Sequence, residues 1–159
     1  MTESVAAATT PLRPRDPRLA PWRAFLIAQL HVSRRLDDDL RAEHGLSLQE
    51  YGALLVLVEA PDRRLRMGRL AEYLALSKSG ATRVIDRLAS SGLVERTACA
   101  GDARGAEAHL TDAGLERLRA ASPTHLRGIA DYFLAAIDVA DLPVIERAMS
   151  SVTERLTAE

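Results

Sequence analysis

The side chains best suited to chemistry in this sequence crowd between positions 77 and 87. Ser79, Thr82, Arg83 and Asp86 recur at i, i+3, i+4 and i+7 and so share one face of a helix, while Ala81, Val84, Ile85 and Leu88 make an apolar stripe on the other. The polar stripe is short-chained, with one arginine at its middle. Such a helix fits the major groove of duplex DNA, which admits an α-helix and presents base edges that Arg, Ser and Thr can hydrogen-bond. Lys78 and Ser79 stand at its start, where unpaired backbone N–H groups and the helix dipole favour phosphate.

The elements that must position this helix can be read on either side of it. Pro21 opens a first helix, and Trp22, Phe25, Leu26, Gln29, Val32, Leu36 and Leu40 carry it at mostly 3- and 4-residue steps to about His44. Ile27, Ala28 and Leu30 fall on its other faces, so its first half needs a second partner. Gly45 ends it, and Ser47 with Glu50 forms a capping box for a helix over 48–59. A short strand at Leu65-Arg66-Met67, a helix over 68–75 and the Ser77-capped helix over 78–91 follow. From Leu93 the helical period gives way to a β-hairpin with a turn over 100–105. The order is thus helix, turn, helix, wing. Thr111 caps a long helix bearing Leu115, Leu118, Leu126, Ile129, Phe133 and Ile137, which Pro123 is expected to kink or interrupt. In a last helix, opened by Asp141 and Pro143, Ile145, Met149, Val152 and Leu156 repeat at 4-3-4 spacing, as in a coiled-coil seam.

Composition narrows the function. With 159 residues, 47% of them apolar, the chain has enough for one compact domain and an appendage. Basic and acidic residues number 21 and 22, so no overall charge attracts a polyanion; yet positions 63–104 hold nine basic against four acidic side chains, and any nucleic-acid site must be local to them. Aromatics at 4% argue against base-stacking platforms for single strands. The lone Cys99 cannot form an intrachain disulfide, which suits a reducing, cytoplasmic setting. No apolar run is long enough to span a bilayer, and the first 20 residues lack a secretory pattern; three prolines among basic residues there read as a flexible arm. The four histidines show no paired ligand spacing, so no metal site is expected, and neither a nucleophile–base pair nor a phosphate-cradling glycine loop suggests an enzyme or a cofactor.

The sequence resembles the MarR family of winged-helix transcription regulators through Leu70-Ala71-x-x-Leu74, Leu76-Ser77 through Thr82-Arg83-x-x-Asp86-Arg87-Leu88, Gly92-Leu93-Val94-x-Arg96, Asp102-x-Arg104-Gly105 and Leu110-Thr111-x-x-Gly114. The resemblance implies a mainly α protein with a small β-wing. Residues 46–111 would form the winged helix-turn-helix domain, 21–45 and 112–159 a helical dimerisation region, and 1–20 the arm. It also implies a homodimer presenting two reading heads to a pseudo-palindromic double-stranded operator, as a repressor released by a phenolic or other lipophilic small molecule. On this footing Ser77, Lys78, Ser79, Thr82 and Arg83 face the major groove and its phosphates, and Arg87 supports a phosphate or wing contact. Arg104 enters the minor groove, attracted by its negative potential, and Asp102 braces it. By the same analogy Trp22, His31 and Tyr51 line an effector cleft. The rival expectation is a winged-helix module that docks a protein instead of DNA; salt-insensitive association would favour it.

Overall fold

The computed structural model describes residues 11–99 and 102–157; for Cys99 and for 102–104 it describes the backbone alone. After a 3-10 turn at Pro17–Leu19, α1 runs over Ala20–His44 and stops where Gly45 takes a left-handed φ of 66°, its N–H returning to the carbonyls of Leu40 and Arg41. The capping box forms as expected: Ser47 Oγ accepts the Glu50 N–H, Glu50 accepts the Ser47 N–H, and α2 spans Leu48–Glu59. β1 (Arg64–Arg66), α3 (Met67–Tyr73), α4 (Lys78–Ser90), β2 (Val94–Cys99) and β3 (Asp102–Leu110) complete the head. The sheet is antiparallel in the order β1-β3-β2, with Leu65 opposite Ala108 and Arg96 also opposite Ala108 from the other side.

The wing departs from the expected hairpin in one respect. β3 already begins at Asp102, and the register jumps from Ala98↔Ala106 to Cys99↔Asp102, so the stretch expected as an open turn is largely an irregular part of the strand.

Leu40, Leu54, Leu57, Leu70, Ile85 and Leu110 are all but completely buried and form one core beneath α1, α2, α3, α4 and the sheet. α5 (Asp112–Tyr132) is capped by Thr111 and lies along α1. Close approach there depends on glycine: a Cβ on Gly128 would stand 2.5 Å from Leu36 Cδ2, and one on Gly114 only 2.1 Å from the Leu93 carbonyl oxygen. Polar ties reinforce the α1–α5 contact, with Tyr132 donating to Asp39 (2.7 Å) and Arg127 and Thr124 donating to the Glu43 carboxylate (2.7 and 2.8 Å).

Of the kink or interruption expected at Pro123, the interruption does not occur: α5 continues through it. Pro123 and Arg119, whose carbonyl would have received the missing N–H, both face solvent, where water can take the place of that bond. The helix instead ends at Tyr132, leaving Phe133 as its cap and Ile137 beyond a 3-10 turn at Leu134–Ala136. α6 (Leu142–Thr157) buries none of its side chains, and Val144, Met149, Val152 and Leu156 are exposed along it, as are Trp22, Phe25, Leu26, Ile27 and Leu30 in the first half of α1. Among the described residues no helix is long and apolar enough to cross a membrane.

Candidate nucleic-acid interface

α4 owes its position to its two faces. Ala81, Val84, Ile85 and Leu88 are buried to 1% exposure or less, which turns Lys78, Ser79, Arg83 and Asp86 outward and leaves Thr82 half-buried at the margin. The helix start is held by Ser77, whose Oγ accepts the Gly80 N–H (3.1 Å) and lies 3.1 Å from Ser79 Oγ. Thr82 donates its hydroxyl proton to the Lys78 carbonyl (2.9 Å), so what it offers outward is a pair of acceptor lone pairs and a methyl group. Both can be used on a base edge, the lone pairs by an exocyclic amine and the methyl by thymine. Among the described residues, neither Lys78 nor Arg83 has an ion-pair or hydrogen-bond partner for its cationic group.

The turn between α3 and α4 is unusual in composition. Ala75 takes φ 51°, a left-handed conformation that suits glycine better, and Leu76 N–H then returns to the Ala71 carbonyl. The chain thereby reverses sharply enough to bring the start of α4 beside α3.

Between α3, the start of α4 and the sheet lies a cleft of about 460 Å³ lined by Arg66, Arg69, Lys78, Thr82, Arg96 and Gly105, among others. Four cationic side chains from β1, α3, α4 and β2 therefore converge on it. Three are partly compensated: Arg69 donates to Glu72 (2.8 Å) and lies 5.6 Å from the centre of the Tyr73 ring, Arg96 donates to Asp86 (2.6 Å), and Arg66 stands 4.0 Å from Glu107. Lys78 carries the uncompensated charge. A groove walled by cations with an exposed polar helix edge beside it is suited to a phosphate backbone and the adjoining bases.

Ser77, Lys78, Ser79, Thr82 and Arg83 are thus brought together on one edge. Arg87, one turn beyond Arg83, sits elsewhere: its Nε donates to Glu50 Oε1 at 2.6 Å, in a crevice whose wall includes Arg41, Ser90, Ser91 and Arg117. Burial opposes ionisation of Glu50, but the Ser47 N–H, the Arg87 guanidinium and the Ser47 hydroxyl together hold its carboxyl below the ordinary range. Asp102 and Arg104 stand on the β3 backbone at the wing; their side chains lie outside the described residues.

The three residues expected around an effector are not brought together. Trp22 is exposed and lines an apolar crevice of about 470 Å³ with Pro21, Phe25, Met149, Val152 and Thr153, whereas His31 is exposed on α1 beside Arg34, Arg35 and Asp38. Tyr51 is buried, its hydroxyl donating to Ser122 (3.3 Å) and its ring centre 4.4 Å from that of His125. Arg66, Arg69 and Arg96 were missed as individual site residues. Their signal was the charge excess of positions 63–104, but only the pairing of β1 with β3 and β3 with β2 carries them to one cleft.

Comparison with known proteins agrees with this geometry. A model of the MarR family matches residues 44–105. The uncharacterized HTH-type transcriptional regulator YkoM of Bacillus subtilis (strain 168) is 33% identical over 112 residues, covering 70% of this chain and 71% of that protein. Among solved structures, AbsC, a MarR family transcriptional regulator from Streptomyces coelicolor, superposes with a TM-score of 0.80 at 31% identity, covering 95% of this chain and all of that one. Sco3205, a MarR family transcriptional regulator from the same organism determined in complex with DNA, gives 0.78 at 33% identity over 86% of this chain and 88% of its own. A helix-turn-helix followed by a wing, its outward polar helix edge, and likeness over nearly the whole chain lead to one assignment: the protein belongs to the MarR family of winged-helix transcriptional regulators.

Proposed function

We propose that this chain is a sequence-specific repressor that binds a pseudo-palindromic double-stranded operator as a homodimer and is released by a small lipophilic molecule. The observation that carries the reading is the outward edge of α4, where Lys78 and Arg83 have no partner among the described residues, beside the cationic cleft. Ser77, Lys78, Ser79, Thr82 and Arg83 engage the major groove and its phosphates, and Arg104, braced by Asp102, reaches the minor groove from the wing. The exposed apolar faces of α1 and α6 support the homodimer, because patches of this kind in water are sites of association. A twofold pair would place its half-sites about one helical turn apart, ~10 bp.

The test is selection of duplexes from a random library by the purified protein, followed by titration over a salt series and sedimentation. A dimer that retains a palindromic sequence with a steep salt dependence is expected. A stable monomer, or a dimer that retains no duplex in dilute buffer, overturns the reading; salt-insensitive binding of a protein in place of DNA would establish the rival one.

A further inference from the structure

Arg87 is the one cation of α4 held by a carboxylate of another helix, although its side chain remains 55% exposed. Its Nε–H meets Glu50 Oε1 at 2.6 Å, while the other oxygen of that carboxylate accepts the Ser47 N–H at 2.8 Å. The Glu50 side chain is only 10% exposed, so the carboxylate cannot follow Arg87 outward without uncapping α2, nor can it lose Arg87 without leaving a nearly buried charge short of a partner. One residue along, the Leu48 N–H donates to Asp37 Oδ1 (2.8 Å), whose second oxygen holds Arg41 at 2.6 Å. Two carboxylates therefore gather α1, the first turn of α2 and the last turn of α4 at a single corner. The crevice that Arg87 lines shares no wall residue with the cationic cleft.

We propose that Glu50 and Arg87 are positioning residues for DNA recognition: their ion pair sets the seat of α4 against α2, and Arg87 touches no phosphate. The inference rests on the DNA-binding reading above but makes a separate, signed prediction. If Arg87 held a phosphate, removing Glu50 would free a cation and tighten binding. If the pair is a strut, removing either partner weakens binding alike.

The experiment uses the full-length chain with Glu50→Gln, Arg87→Gln and both together, titrated across a potassium chloride series with the duplex that the wild type selects from a random library. Each single variant should weaken binding roughly tenfold and the double variant no further, because coupled partners are non-additive. The salt dependence should keep its slope. Tighter binding by Glu50→Gln, or a slope shallower by about one counterion in Arg87→Gln, overturns the proposal. Hydrogen exchange of the α4 amides supplies a readout without DNA: faster exchange in each single variant and no additional increase in the double supports the strut, and unchanged exchange in the singles overturns it. Should the wild type retain no duplex, the DNA-binding reading falls while exchange still decides the strut. Should Glu50→Gln fail to fold, Arg87→Gln alone decides through its slope and its α4 exchange.

Discussion

Arg96 on β2 donates from Nη1 to Asp86 Oδ1 of α4 at 2.6 Å, which joins the first strand of the wing to the helix whose outward edge it flanks. The side chains are 38% and 53% exposed, so solvent screens the pair and its contribution to folding is small, ~0.2–1 kcal/mol. It ties the wing to the flank of α4 without anchoring the fold. Asp86→Asn should therefore leave the denaturation midpoint close to that of the wild type while weakening operator binding in a duplex titration. A large loss of stability with unchanged binding would reverse that assignment.

Arg83 and Lys78 should differ in kind. Arg83→Ala is expected to cost on the order of 1–3 kcal/mol in operator binding and to relax discrimination at one base step, as loss of a base contact does. Lys78→Ala should weaken all duplexes about equally and reduce the salt slope by about one. Affinities for the selected operator and its single-step variants, each measured over several salt concentrations, separate the two.

Gly114 is fixed by space. A Cβ there would lie 2.1 Å from the Leu93 carbonyl oxygen and 2.7 Å from Leu110 Cδ1, and the backbone atom cannot swing aside as a side-chain tip would. Gly114→Ala should destabilise the fold by about 3 kcal/mol, the upper end of what overpacking costs. Denaturant unfolding checks this, and a midpoint equal to the wild type's would show that α5 can shift away from the wing.

Much of this arrangement is legible in the sequence because its signals are local. Ser47 with Glu50, Ser77 and Thr111 announce helix starts, Gly45 announces an end, and the two stripes of α4 separate inside from outside. Contacts set by tertiary structure are not legible in this way. Asp86 looks like part of the free polar stripe, yet Arg96, ten residues away, occupies it; Arg87 reads as a support for a phosphate or wing contact, yet Glu50, 37 residues away, holds it. Ala75 carries none of the glycine signal that a left-handed turn ordinarily gives. Pro123 signals a break that solvent exposure lets α5 escape.

His125 gives the fold a dependence on acidity. Its Nδ1 is buried without a hydrogen-bond partner among the described residues, its ring packs on Tyr51, and burial lowers its pKa below the ordinary 6.5. In the window between the lowered value and 6.5 the unfolded chain binds more protons than the folded one, so stability falls as pH drops through 6.5 and levels off once the folded form also protonates. His125→Phe keeps a ring against Tyr51 and removes the titration. Its stability relative to the wild type should rise as pH is lowered from 7.5 to about 5.5; parallel curves for the two proteins would contradict this.

Thr111 joins three parts of the molecule through one side chain. Its hydroxyl donates to the Gly92 carbonyl (2.8 Å), at the end of α4, and accepts from Gly114 N (3.0 Å), in the first turn of α5, while its N–H bonds the Leu93 carbonyl at the mouth of the hairpin. Any tilt of the long α5 rod is thereby delivered at the same moment to the exit of one element and the root of the other. Head and hairpin are fastened at that threonine like two blades on a common rivet.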